Sequence, residues 1–336
     1  MEDTLKQQSW KDKMHYLNAI ESDWYKAIIE IDNLISKYTT LFYSNKNMKT
    51  MHLPITTGSI SSPMGLGSDS TPVRVNIGGV DTYLADSMQF MLEYGCRFIK
   101  EGVYYIMPSF RGEEADERHL SQFYHSEAEI IGGLDDAIIL VEEYIKYLSK
   151  NILNEYGKEL EKITKGNEHI EKLINTKKIP EITLDEAIKI LENSDKYVEK
   201  HKEGYRNINS AGEKELIKYF EGAVWIKNFD YMSVPFYQAA TNNMTKAKNA
   251  DLLIGIGETV GLGERHKNGK EVREALRYHN VDEKEYEWYV NMKDKYPLQT
   301  SGFGLGIERF VLWITKHKDI RDCQLVPRFN GVNIVP

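Results

Sequence analysis

Residues 301–313 read SGFGLGIERFVLW. Gly302, Gly304 and Gly306 are two apart, so on a strand they share one face and leave it bare, while Phe303, Leu305 and Ile307 point into a core. A flat ring fits such a face. Arg309 falls in the first turn of the helix that Glu308 opens, an odd place for a cation unless an anion is nearby. The glycine spacing is neither the dinucleotide-binding G-x-G-x-x-G nor the P-loop pattern. A second arginine, Arg111, ends a strand at SFRGEE, and Asp251 and Glu258 flank the glycine-rich stretch DLLIGIGE. Two arginines can neutralise a polyphosphate. Two carboxylates can hold a Mg²⁺ ion that bridges its oxygens. A bare strand face and Phe123 can sandwich an adenine. Each residue alone has an ordinary reading: a surface arginine, a turn aspartate, a solvated glutamate. Their joint occurrence is harder to dismiss, and a nucleoside triphosphate site is the chemistry it would suit.

The elements that would position these groups are legible in outline. In RHLSQFYHSEAEI, the odd-numbered His119, Ser121, Phe123, His125, Glu127 and Glu129 share one face of a predicted strand. Two histidines and two glutamates make poor core and a good pocket wall. The strand VYYIMPSF precedes it across the polar loop GEEADE. Apolar and aromatic residues at three- and four-residue steps predict one helix over 14–43. Residues 51–80 are rich in Gly, Pro and Ser and read as loop around short strands. TYLADSMQFMLEYG begins as a strand and becomes a helix. Residues 135–220 read as a helical insertion with solvated charges, including a capping box at Thr183 and Glu186. Strands return at GAVWIKNFD, VPFYQAA and ADLLIGIGETVGLGER, and a helix lies within 265–297. The pattern predicts an α+β fold, an antiparallel sheet flanked by helices.

The chain of 336 residues is long enough for a large core and carries 43 basic against 51 acidic residues, a net charge of −8. No apolar run suffices to cross a membrane and the N-terminal residues are polar, so a cytoplasmic location is expected. Cys96 and Cys323 fit a reducing compartment and form no zinc-binding pair. The absence of a Lys/Arg block argues against nucleic acid as the main partner.

The order SFRGEE…RHLSQFYHSEAEI, followed far downstream by GFGLGIERFVLW, resembles motifs 2 and 3 of the class II aminoacyl-tRNA synthetases, with the aspartyl/asparaginyl group most similar. GETVGLGER resembles that group's Mg²⁺-binding segment, and DCQLVPRF the tail of its asparaginyl members. The likeness runs from about Pro54 to Pro336, interrupted by the insertion, with a weaker motif 1 in the long helix. It implies that Arg111 holds the α-phosphate and the activated carboxylate, that Glu113 meets the adenine amino group, and that Phe123 stacks on the ring. It further implies that His119 and Arg309 reach the γ-phosphate, that Gly304 lies in the ATP site, and that Asp251 and Glu258 bind Mg²⁺–ATP. Gln89 would contact the amino-acid substrate and Arg265 its side-chain oxygen. Three positions depart from the family pattern: Leu92 stands where aspartyl enzymes carry Lys, Gln122 replaces Glu, and GLGER replaces GGSxR.

Family members that charge tRNA carry an N-terminal anticodon-binding barrel, whereas this sequence opens almost directly on the motif 1 helix. SPMGLGSDSTPV also resembles a loop of archaeal asparagine synthetases, free-standing cores of the same family. The resulting expectation is a single catalytic domain over 1–336, a homodimer. It would use ATP and Mg²⁺ to adenylate aspartate on its side chain and amidate it with ammonia, Arg265 holding the substrate's α-carboxylate. tRNA is not expected as a partner. The alternatives are activation of another carboxylate such as a peptide or natural-product acid, asparaginyl- or aspartyl-tRNA charging, and a non-catalytic amino-acid-binding paralogue.

Overall fold

Strands β1 (Lys49–Thr50), β2 (Val103–Phe110), β3 (Gln122–Ile131), β4 (Glu181–Thr183), β5 (Val224–Lys227), β6 (Asn249–Ile254), β7 (Gly257–Glu264) and β8 (Thr300–Gly306) form one sheet in the order β1-β2-β3-β8-β7-β6-β5-β4 in the computed structural model, which describes residues 9–62, 66, 70–241 and 243–335. The six central strands pair antiparallel, as expected. The short edge strands β1 and β4 pair parallel with β2 and β5. Parallel neighbours need long crossovers, and here these run through helices.

Alternation along the strands separates two faces. On one, Ala128 of β3, Phe303 and Leu305 of β8, Val260 and Leu262 of β7 and Leu252 of β6 pack under three helices. These are α1 (Asp23–Asn45), α3 (Leu134–Thr164), which follows α2 (Gln89–Gly95), and α5 (Ile307–Thr315), which follows α4 (Ser210–Tyr219). Trp24 and Ile28 of α1, Val141 and Leu148 of α3, and Phe310 and Val311 of α5 complete this core. The Tyr144 hydroxyl of α3 sits between Thr39 Oγ1 of α1 at 2.6 Å and Ser126 Oγ of β3 at 2.8 Å, tying three elements together. The other face of the sheet carries the glycines and carboxylates. A separate aromatic cluster around Phe90, Tyr231, Phe236, Tyr286 and Tyr289 flanks it.

Four expectations change. The helix predicted over 14–43 is two: a short helix His15–Asn18, then α1, which starts after Ser22 in an extended conformation. Leu17 and Ile20 stay exposed. Tertiary contacts win over periodicity here, because Trp24 Nε1 donates to the Asp322 carbonyl at 2.8 Å and His15 Nε2 lies 2.6 Å from that of Leu325. VPFYQAA is not a strand; Gln238 and Ala240 make only isolated bridges, and Pro235 lacks the N–H a ladder needs. The 265–297 segment holds two helices, Gly269–Tyr278 and Glu287–Lys295. The stretch 135–220 is woven into the frame, since α3 builds the core and β4 extends the sheet. Its capping box is present, with Thr183 Oγ1 accepting from Glu186 N. The loop likeness drawn from Pro63, Met64, Gly65, Gly67, Ser68 and Asp69, and the polar residues 1–8, lie outside the described residues. Among the described residues no helix is long and apolar enough to cross a membrane.

Thr39 and Ser126 are fully buried, so removing the shared hydroxyl strips each of one buried hydrogen bond. Tyr144→Phe is expected to lower stability by about 1–3 kcal/mol, measured by urea unfolding.

Candidate active site

The glycine-bearing face of the sheet has a register that explains its composition. In one row across the strands stand Asp251, Gly261, Gly304 and Glu127; in the next, Asn249, Gly263, Gly302 and Glu129. Each row thus places two glycines side by side between polar residues. A side chain at Gly302 would collide with the Glu129 carboxylate, and one at Gly263 with Gln238. Those two glycines make room for protein side chains. Gly304 differs: a Cβ there would meet only Glu127, at 3.4 Å. The bare surface expected under a flat ring is therefore confined to Gly304 and its neighbour Gly306.

Above this floor lies a cavity of about 500 Å³. Arg111, Glu113, His119, Phe123, Gly304 and Arg309 all line it, as do Asp251, Glu258, Gln89 and Arg265. Segments more than two hundred residues apart thus bring every candidate residue to one space. His119 and Ser121 precede β3 rather than lying on it. The His119 ring is held at the rim by Asp116, with Nδ1 2.8 Å from Oδ1. Glu113 accepts from Thr71 N at 3.2 Å.

The cavity has two ends. At one, the Arg111 guanidinium lies over the Phe123 ring, 5.4 Å from its centre. Arg309 Nη1 donates to the Glu258 carbonyl at 2.6 Å and stands 3.9 Å from its carboxylate. Glu258 and Asp251 converge over Gly261, whose absent Cβ would lie 3.0 Å from Glu258 Oε1. Burial, and then the negative charges of Glu258 and Glu213, push the Asp251 carboxyl well above its usual range. Paired carboxylates are hard oxygen donors of the kind a Mg²⁺ ion takes. Among the described residues no group of three or more His, Cys, Asp or Glu side chains is arranged to hold a metal.

At the other end, Arg265 and Glu129 form a buried pair, Nη2 to Oε2 at 3.1 Å, with side chains 3% and 0% exposed. The guanidinium also lies over Tyr237. Burial pushes the Glu129 carboxyl up to about 7 while Arg265 pulls it down. Leu92, fully buried, lines this end. Between the ends, Glu127 accepts from Ser87 Oγ at 2.6 Å and pairs with His125 at 3.0 Å. Burial opposes its charge, yet these contacts hold Glu127 below the usual carboxylate range. Several buried polar atoms of the lining have no protein partner: Arg111 Nε, Arg118 Nε, Gln89 Nε2 and Gln238 Oε1. Orphaned polar groups are rare in protein interiors, and here they mark a space shaped for a polar ligand.

Two residues escaped the sequence reading. Arg118 adjoins His119 within a motif already quoted, so its neighbour was the available signal. Glu213 sits on α4, inside the supposed solvated insertion, and nothing in its local sequence marks it. It pairs with Arg118 at 2.5 Å.

Residues 7–330 match the family model described as tRNA synthetases class II (D, K and N). The asparagine–tRNA ligase of Pyrococcus abyssi is 32% identical over 252 residues, which cover 73% of this chain and 56% of that protein. That of Photobacterium profundum is 29% identical over 326 residues, covering 90% of this chain and 70% of the relative. The chain thus spans little more than half the length of the first of these relatives. Among solved structures, asparaginyl-tRNA synthetase from Pyrococcus horikoshii complexed with asparaginyl-adenylate superposes with a TM-score of 0.86 at 25% identity, covering 96% of this chain and 73% of that one.

These likenesses overturn two expectations. Aspartate amidation with ammonia is set aside, because these relatives are asparagine–tRNA ligases. That reading had Arg265 holding the substrate's α-carboxylate; in the structure its Nε and Nη2 donate to Glu129. The expectation that tRNA is not a partner falls with it; a net negative chain excludes neither a local contact surface nor the family's chemistry.

Asp251 generates a prediction. Its proton is held more tightly in the folded than in the unfolded chain, so stability falls as pH rises from its ordinary value near 3.8 toward the raised one. Asp251→Asn is expected to remove this slope and stabilise the ligand-free protein at neutral pH by about 0.5–2 kcal/mol, read from denaturation at several pH values.

Proposed function

The chain belongs to the class II tRNA synthetases (D, K and N), and on that premise we propose that it activates asparagine with ATP and transfers it to tRNA. The observation that carries the choice of amino acid is the Arg265–Glu129 pair beside Leu92. A free guanidinium would select a carboxylate. A guanidinium compensated by a carboxylate offers a donor and an acceptor with little net charge, which suits a side-chain amide. Leu92 adds no cation. The asparagine–tRNA ligase relatives and the asparaginyl-adenylate neighbour support the same reading.

In this reading the α-carboxylate oxygen of asparagine attacks the α-phosphorus of ATP. The bond to the bridging oxygen breaks, pyrophosphate leaves, and an asparaginyl adenylate remains. A ribose hydroxyl of tRNA then attacks the acyl carbon and gives up its proton to the adenylate phosphate or water, and AMP departs with the bonding electrons. Arg111 steadies the α-phosphate and the attacking carboxylate. Phe123 and the Gly304 floor hold the adenine, and Glu113 meets its amino group. His119 and Arg309 face the γ-phosphate. Gln89, with its unpartnered amide nitrogen, and the ionised Glu127 face the amino acid; a carboxylate there suits the substrate's ammonium group. Asp251 and Glu258 would hold Mg²⁺, which neutralises phosphate charge. Positioning and preorganised charge carry most of the rate in such transfers.

The segment 135–220, whose α3 and β4 belong to the frame, lends Glu213 to the site. A twofold homodimer belongs to this reading, since Ile29 and Leu41 of α1 remain exposed beside its buried face.

Two experiments test the proposal. Asparagine-dependent ATP–pyrophosphate exchange is expected with the intact chain, and Arg309→Ala is expected to cost it about 2–5 kcal/mol of transition-state stabilisation. Unchanged exchange in that variant rejects the phosphate assignment. Glu129→Gln leaves Arg265 uncompensated, so the kcat/KM ratio of asparagine to aspartate in the exchange assay is expected to fall at least about tenfold, roughly one charge-assisted contact. A ratio that does not move removes the pair as the selector.

A further inference from the structure

Arg118 and Glu213 meet at the polyphosphate end of the cavity from two segments distant in sequence. Arg118 lies in the loop between β2 and β3, and Glu213 in the first turn of α4. Arg118 Nη2 is 2.5 Å from Glu213 Oε2, and each side chain is 16% exposed. The contact is accommodated by the backbone of β7. Gly257 has φ +146°, and a Cβ there would collide with both the Glu213 carboxylate and the Arg118 guanidinium. The pair is nevertheless incomplete, because Arg118 Nε is buried without a partner, as is Arg111 Nε. Glu213 feels attraction from Arg118 and Arg309 and repulsion from Glu258. Glu213 is therefore the carboxylate in direct contact with Arg118, with Glu258 repelling it from nearby and donors beside it left unsatisfied.

We propose that Glu213 is a placeholder anion. It neutralises Arg118 while no polyphosphate is bound, and the terminal phosphates of ATP, or pyrophosphate, displace it. The proposal rests on the ATP reading above. Its logic is electrostatic. Arg118 can serve one anion fully, and the more highly charged polyphosphate forms the stronger charge-assisted bonds. Once displaced, Glu213 stays close to Glu258 and to the phosphates, and that repulsion favours departure of pyrophosphate. Glu213 is thus a positioning residue that weakens polyphosphate binding and hastens product release, acting through Arg118.

Calorimetric titration of the full chain with Mg²⁺–pyrophosphate and Mg²⁺–ATP tests this. Glu213→Gln is expected to bind pyrophosphate about tenfold more tightly than wild type, the worth of one charge-assisted contact no longer competed for, and to release it more slowly in single-turnover assays. Equal or weaker binding by a folded Glu213→Gln overturns the proposal. Weaker binding restored by excess Mg²⁺ also overturns it, by making Glu213 a metal ligand. A wild-type protein that binds neither ATP nor pyrophosphate overturns the ATP reading together with this one. Binding by wild type with an unchanged variant overturns this one alone. A wild-type crystal structure with pyrophosphate bound adds a readout independent of the variant's folding. Arg118 is expected to contact phosphate oxygens with its link to Glu213 broken, and an intact link refutes displacement.

Discussion

Burying the Arg265–Glu129 pair constrains much of what surrounds it. An ion pair removed from water is tolerated only where its geometry is close and its remaining polar atoms are met. Glu129 can point across the sheet because position 302 has no side chain. Arg265 has Tyr237 against its guanidinium. Behind them a second buried pair, Lys293 Nζ to Glu93 Oε2 at 2.5 Å, joins α2 to the helix Glu287–Lys295. Lys293 also donates to the carbonyl of His266, the residue after Arg265, at 2.6 Å. Glu93 lies one turn beyond Gln89, so this network fixes the helix that presents Gln89 and Leu92 to the cavity. The closed end is shaped by charge neutralisation as much as by apolar packing.

The open end follows the opposite rule. Asp251, Glu258 and Glu213 repel one another, and Arg111, Arg118 and Arg309 do the same; the pairing among them is partial. Such an arrangement costs stability in the ligand-free chain. On the proposed function it also preorganises donors and acceptors for a ligand that carries both phosphate charge and a counter-ion. A site poised for a polyanion is one that its own protein satisfies poorly.

The corrected substrate reading turns on the same contrast. Arg265, viewed as one residue in a string, is a guanidinium available to a carboxylate. Beside Glu129 it becomes half of a neutral donor–acceptor surface. That contrast is the ground on which asparagine, whose side chain has both a donor and an acceptor, is proposed over aspartate.

What the sequence by itself determined was local chemistry and periodicity. Alternation in SGFGLGIERF and in QFYHSEAEI placed glycines on one face and Phe303 and Leu305 on the other, because a strand has a strict period of two. Membership of one family was equally legible, as were the residues that the fold gathers around one cavity. Only the tertiary structure decided who neutralises whom. The pairing of Glu129 with Arg265, and of Glu213 with Arg118, joins residues 136 and 95 positions apart through the sheet register and the docking of α4. The break before α1 was decided in the same way, by Trp24 and His15 bonding to the C-terminal segment rather than by the apolar stripe that runs through it. Electrostatic energy depends on distance through space, and a linear sequence records only distance along the chain.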